Sequence, residues 1–158
     1  MLYWIFDLDY TLYQLPEYIN FNYNFLSKDT QLNYLLTMLP CNKILFTNGN
    51  TNHAIRSLEI LGIKDKFISI YSRDNVESIK PDVRSFNSVI KASKIKNTDK
   101  VVFFEDTLDN LITAKSLGWI TVLINKKQAL TPEVDFWFPN IHIALNYFVN
   151  CIQSRQKK

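Results

Sequence analysis

The stretch Phe6-Asp7-Leu8-Asp9-Tyr10-Thr11 sets two carboxylates and a threonine hydroxyl directly after the apolar run Leu2 to Phe6. Such a run suits a strand buried on both faces. An aspartate at its end loses solvation unless a cation or hydrogen bonds satisfy it. Taken alone, the pair is equally an ordinary turn or a helix cap, where aspartate is common. The same arrangement recurs along the chain. Thr47 and Asn48 close the run Ile44 to Phe46, Lys80 stands in a loop before Pro81 and Asp82, and Glu105, Asp106, Asp109 and Asn110 follow Val101 to Phe104. Each has its own plain reading as a turn, a surface lysine or a helix cap. Their joint placement at the ends of apolar runs is poorly explained by chance.

The elements that must position these groups alternate. Short apolar runs at 2–6, 43–47, 66–72, 100–105, 119–125 and 135–138 read as strands. Between them lie helical patterns. Residues 51–62 put Ala54, Ile55, Leu58 and Leu61 on one face, with Gly62 as the stop. Residues 80–94 bury Val83, Phe86, Val89 and Ile90, with Pro81 in the first turn. A helix over 106–118 closes at Gly118, and a last one covers 140–152. Alternating strands and helices predict an α/β fold, a Rossmann-like doubly wound parallel sheet with helices on both faces. Ligands of such sheets bind beyond the carboxyl ends of the strands, where the polar groups fall.

The ordered motifs Asp7-Leu8-Asp9-Tyr10-Thr11, Thr47-Asn48-Gly49, Lys80-Pro81-Asp82 and Glu105-Asp106 with Asn110 resemble those of the haloacid dehalogenase superfamily, from Phe6 to about Ile124. The passages 58–67 and 114–122 also look like helix-to-strand passages of that family. Within it, the first and third motifs look most like the pyrimidine 5′-nucleotidase-like branch. The second aspartate, Asp9, separates the chain from haloacid-cleaving members and resembles the phosphatases.

The resemblance implies a phosphomonoester hydrolase with Asp7 and Asp9 as catalytic residues. Asp7 would attack phosphorus and form an aspartyl-phosphate; Asp9 would protonate the leaving oxygen and later deprotonate water. Attack by a carboxylate on an anionic phosphoryl group requires a cation, and Mg²⁺ suits oxygen ligands of this kind. Its expected protein ligands are Asp7, the backbone carbonyl of Asp9, and Asp106. Thr47 and Asn48 would bind phosphate through hydroxyl and backbone N–H, and Lys80 would pair with phosphate and hold Asp7. Thr11, Glu105 and Asn110 would support the site, Glu105 beside the metal. Pro81, by starting a helix after Lys80, would add helix-dipole charge on the same side.

Composition narrows the alternatives. With 158 residues, 47% of them hydrophobic, the chain suffices for one domain with a real core, and a single domain over 1–158 is expected. No apolar run approaches the roughly 20 residues of a membrane span. The early acidic pair argues against a signal peptide, and Cys41 and Cys151 read as reduced thiols, so a soluble cytoplasmic protein is expected. Neither cysteine nor His53 nor His142 shows a catalytic or zinc pattern; both histidines read as isolated residues on helices. The expected partner is a phosphorylated substrate of unspecified identity. Net charge +3 and the basic tail 153–158 indicate nucleic acid only weakly.

Between Thr47 and Lys80 there is space for a helix and a strand only, and residues 14–42 are also brief, so no large cap domain is expected over the site. Within 14–42, Ile19, Phe21, Tyr23 and Phe25 alternate with asparagines at the period of a strand or hairpin flap, one face of which could shape the substrate site or contact a second copy in a homodimer. A helix should follow, with Ser27 or Asp29 near its cap. An open site fits a small phosphoester, nucleotides included. It also fits a phosphoprotein or nucleic-acid end, and a weakly catalytic phosphate-binding scaffold keeps the same fold.

Overall fold

The computed structural model describes residues 1–16, 20–129 and 131–156. In chain order the strands are β1 (Leu2–Phe6), β2 (Asn42–Phe46), β3 (Ser69–Tyr71), β4 (Lys100–Glu105), β5 (Ile120–Ile124) and β6 (Phe136–Phe138). The helices are α1 (Thr30–Met38), α2 (Thr51–Leu61), α3 (Val83–Ala92), α4 (Leu108–Ser116) and α5 (Ile141–Gln156).

The strands form one sheet in the order β3-β2-β1-β4-β5-β6, every pair parallel. The expected doubly wound α/β architecture is therefore present. Because side chains alternate across a strand, each central strand feeds two cores. Trp4, Phe6, Leu45, Val102 and Phe104 face α1, α2 and α5. Tyr3, Ile5, Ile44, Phe46 and Phe103 face α3 and α4. Phe6 and Phe104 stack at 4.6 Å across the central pair, which fixes β1 against β4 just below the site. Among the described residues no helix is long and apolar enough to cross a membrane.

The chain runs outward from β1 through β2 to β3, then returns to the other side of β1 as β4. The crevice at the carboxyl ends of β1 and β4 is thus the topological switch point. Register places Phe6 opposite Phe104, and the Asp7 N–H continues the ladder to the Phe104 carbonyl at 2.9 Å, so Asp7 and Glu105 emerge side by side.

Helix ends follow local chemistry. Asp29 caps α1 and Asn50 caps α2, each accepting a backbone N–H, while Gly62 ends α2 at φ 73°. Two local expectations are corrected. The helix after Lys80 begins at Val83, because Asp82 accepts the Arg84 N–H and takes the cap; Pro81 lies before it, joined to Lys80 by a cis peptide, and Val83 is exposed. The aromatic segment is no strand or hairpin over its described residues: Tyr23–Phe25 is a 3-10 turn, because the Asn22 side chain captures the Asn24 N–H and no strand pairs with it. Phe21 and Phe25 are exposed, and Tyr23 is partly buried. Ile19 lies outside the described residues.

Candidate active site

At the switch point Asp7 is almost wholly buried, and both its oxygens are engaged. Oδ1 accepts from Lys80 Nζ at 2.8 Å, and Oδ2 accepts from Thr11 Oγ1 at 3.1 Å. Thr11 reaches back because the chain turns tightly after Leu8, whose carbonyl accepts the N–H groups of Thr11 and Leu12. Tyr10 makes this turn with φ 61°, an uncommon conformation for a residue other than glycine. The Gln14 amide, bonded to the Tyr10 carbonyl at 2.6 Å, secures the turn.

Lys80 has three N–H donors, and all are used: Asp7, the Phe46 carbonyl at 2.8 Å and Glu105 Oε2 at 2.7 Å. It therefore holds Asp7 in place. Glu105 is saturated too: Oε2 also accepts from Asn110, and Oε1 accepts the N–H groups of Asp106 and Thr107. Burial disfavours the charge on each group, yet the Lys80 ammonium and these hydrogen bonds draw Glu105 below its ordinary carboxylate range. The same carboxylates outweigh burial on Lys80 and raise it.

Asp7 and Asp106 fare differently. Burial first, and then the Glu105 charge, push Asp7 upward despite Lys80. Burial and Glu105 push Asp106 upward as well, and Asp7 adds to it. Among the described residues the side chain of Asp106 accepts only from Thr107 Oγ1, at 3.4 Å. Oxygen atoms of Asp7, Glu105 and Asp106 lie within 4.8 Å of one another. One ammonium stands among three clustered carboxylates and bonds two of them, Asp7 and Glu105, of which Glu105 has further N–H donors. The remaining donors, Asp7 and Asp106, are hard oxygens short of positive charge, and this donor set fits a divalent cation such as Mg²⁺. The Asp9 carboxylate is not in this group.

The second motif is placed beside the first. Thr47 is buried at the end of β2, where its hydroxyl accepts the Gly49 N–H at 3.0 Å. Asn48 is committed elsewhere. Its amide donates to the Lys80 carbonyl and its oxygen accepts the Lys80 N–H, both at 2.9 Å, so this side chain fixes the lysine loop. Any contact of Asn48 with an oxyanion therefore falls to its backbone.

Asp9 has partners that the sequence reading missed. His53 Nε2 lies 2.7 Å from Asp9 Oδ1, and the Tyr13 hydroxyl donates to the same oxygen. His53 Nδ1 is 3.0 Å from the Tyr23 hydroxyl. His53 is thus not an isolated helix residue, and neither is His142, whose Nε2 sits 2.7 Å from Asp29. A sequence signal for His53 did exist: it occupies the first turn of a helix whose cap, Asn50, directly follows the Thr47-Asn48-Gly49 loop.

Beside Asp106 opens a cavity of about 330 Å³ lined by Tyr10, Gln14, Asn125, Lys126 and Lys127. The Asn125 amide reaches the Asp106 carbonyl at 3.3 Å and thereby ties the cavity wall to the acidic cluster.

A parallel sheet with carboxylates gathered at its switch point defines the class: a Rossmann-like α/β core with a metal-competent acidic centre. The model of the haloacid dehalogenase-like hydrolases matches residues 30–124, and the chain belongs to that family. It is 34% identical over 108 residues to Phosphate metabolism protein 8 of Saccharomyces cerevisiae, a match covering 60% of this chain and 34% of that protein. It is 37% identical over 68 residues to Drimenol cyclase drtB of Aspergillus calidoustus, covering 43% of this chain and 13% of that protein. The chain thus spans about a third of the first of these relatives and 13% of the second. Among solved structures, L-2-haloacid dehalogenase of Xanthobacter autotrophicus superposes with TM-score 0.65 at 17% identity, covering 83% of this chain and 63% of that one. A HAD phosphatase of Thermococcus onnurineus gives 0.60 at 22% identity, with coverages of 76% and 57%. A Thermotoga maritima protein provisionally assigned as beta-phosphoglucomutase gives 0.71 at 15% identity, covering 94% and 98%. At these identities the solved structures speak for the fold.

Proposed function

We propose that the chain is a Mg²⁺-dependent phosphomonoester hydrolase acting through an aspartyl-phosphate on Asp7. The observation that carries this reading is the charge imbalance at the switch point: buried Asp7 and half-buried Asp106 cluster with Glu105 around one ammonium, whose carboxylate bonds go to Asp7 and Glu105. A cation held by Asp7 and Asp106 would offset their charge and that of an incoming phosphate, making attack by a carboxylate feasible. The Asp9 carbonyl is the third protein ligand in this reading.

The chain's own residues then divide the work. Lys80 and Thr11 hold Asp7 so that a carboxylate oxygen faces phosphorus. Asp7 forms the O–P bond as the bond from phosphorus to the leaving oxygen breaks, and Asp9 gives that oxygen its proton. Asp9 then takes a proton from water, which attacks phosphorus and releases phosphate from Asp7. Thr47 and the backbone after it receive the phosphoryl oxygens. The cavity lined by Tyr10, Lys126 and Lys127 receives the leaving group, so a small phosphoester fits, nucleotides among them.

Phosphatase chemistry is favoured over halide removal by Asp9. A halide leaves without a proton, whereas an alkoxide needs one, and Asp9 stands two residues from Asp7 with bonds that fix its carboxylate. The family's presence around Phosphate metabolism protein 8 supports the same choice. The test is phosphate release from nucleotides, sugar phosphates, phosphopeptides and 3′-phosphorylated oligonucleotides, with and without Mg²⁺. Release that stops with chelator is expected. A folded protein that releases phosphate from none of these classes refutes the proposal.

A further inference from the structure

Asp9 is held asymmetrically. The Tyr13 hydroxyl and His53 Nε2 both bind Oδ1, while Oδ2 has no hydrogen-bond partner among the described residues. A carboxylate only accepts, so the Nε2–H of His53 donates to Asp9, while His53 Nδ1 shares a hydrogen bond of 3.0 Å with the Tyr23 hydroxyl. The ring is braced from several sides. The Asn50 cap accepts the His53 N–H at 2.8 Å and fixes the first turn of α2. Phe21 meets the imidazole edge to face at 4.9 Å. The Arg56 guanidinium lies 3.9 Å from the centre of the Tyr23 ring.

Gly49 makes the approach sterically feasible. A Cβ there would stand 2.9 Å from His53 Cδ2, closer than real contacts allow, and 3.7 Å from Asp9 Oδ2. The free oxygen therefore faces the Thr47–Gly49 loop, where the proposed phosphate is received. Two donors on one oxygen prevent the carboxylate from turning, and they select which oxygen is left for chemistry.

We infer that Tyr13 and His53, backed by Tyr23, are positioning residues that orient Asp9 so that Oδ2 is the atom that gives and takes the proton. The inference rests on the phosphatase reading and assigns a job to the aromatic segment around Tyr23. That segment supports the acid–base residue from behind.

The test compares kcat/KM for two phosphomonoesters, because this ratio reports steps up to transfer onto Asp7. Glycerol 3-phosphate leaves as a poor alkoxide and needs the proton; 4-nitrophenyl phosphate leaves as a stabilised phenolate and hardly does. General acid catalysis contributes about 10²–10⁴-fold, so a misaimed Asp9 in His53→Ala should lose at least about tenfold on glycerol 3-phosphate and far less on 4-nitrophenyl phosphate. His53→Gln, which retains an N–H donor, should recover part of the loss, and Tyr23→Phe should show the same selectivity at smaller size. Independently of turnover, the ¹⁵N signals of the His53 ring should move in Asp9→Asn and in Tyr23→Phe. Equal losses on both substrates, or none, or His53 signals indifferent to Asp9, would overturn the inference while leaving the phosphatase reading intact. A wild-type protein inactive on both substrates and across the wider panel would overturn the phosphatase reading, and the inference with it.

Discussion

Replacing Lys80 by Met should destabilise the protein heavily, because among the described residues its ammonium is the only cation bonded to the buried carboxylates at the switch point. The variant leaves Asp7 and Glu105 without their bonds of 2.8 and 2.7 Å and strips the Phe46 carbonyl of its donor at 2.8 Å. Breaking a buried ion pair costs about 3–5 kcal/mol, because the partner charge stays behind. The orphaned carbonyl adds about 1–3 kcal/mol, part of which water entry offsets. A total near 4–6 kcal/mol, at about 2–4 °C per kcal/mol for a domain of this size, lowers Tm by on the order of 10–20 °C. Thermal unfolding at neutral pH, followed by circular dichroism, reads this directly. Glu105→Gln in the same background should couple with Lys80→Met by at least about 1 kcal/mol, since the two side chains share a bond. Mg²⁺ should restore part of the lost stability, because the freed carboxylates attract it. A Lys80→Met protein melting within about 2 °C of wild type would show that the ammonium does not carry the charge balance assigned to it.

Asp106→Asn should weaken Mg²⁺ binding by about tenfold or more, as seen by calorimetry, whereas Glu105→Gln should act chiefly on stability, because Glu105 is already saturated by four donors; equal effects on binding would mean that the wrong carboxylate has been placed at the metal. Gly49→Ala should reproduce the leaving-group selectivity of His53→Ala, since its methyl group would displace the imidazole; a variant with wild-type selectivity would refute that. Changing Lys126 and Lys127 to Glu should raise KM for phosphoesters whose leaving group carries a second phosphate by about fivefold or more relative to glycerol 3-phosphate, whose leaving group is neutral, from about 1 kcal/mol of lost attraction in the cavity beside Asp106; an unchanged ratio would place the leaving group elsewhere.

The sheet was legible because parallel strands buried on both faces leave continuous apolar runs, as in Ile44–Phe46 and Val101–Phe104, and helices leave faces such as Ala54, Leu58 and Leu61. The acidic cluster was legible because its members sit at the ends of those runs. Its surroundings were harder to see. The bond between His53 and Asp9 spans 44 positions, and the place of His53 in the first turn after the Thr47–Gly49 loop hints at the site without naming Asp9 as its partner. The alternation from Phe21 to Phe25 mimics a strand, yet without a neighbouring strand the Asn22 side chain settles the backbone into a turn. At Lys80-Pro81-Asp82 a cap competes with proline for the helix start, and the cap, made by Asp82, prevails. The family resemblance assigns phosphate to the backbone N–H of Asn48; only the fold reveals that its side-chain amide is spent on the Lys80 backbone.

The central claim is covalent chemistry at Asp7, and one measurement addresses it most directly. The protein is mixed with a turned-over phosphomonoester and Mg²⁺, quenched rapidly in acid, digested, and mapped by mass spectrometry. A phosphoryl group on the peptide containing Asp7, localised to that carboxylate and absent from Asp7→Asn, is the predicted result. Turnover that persists in a folded Asp7→Asn protein, or a phosphoryl group carried by another residue, would contradict the account.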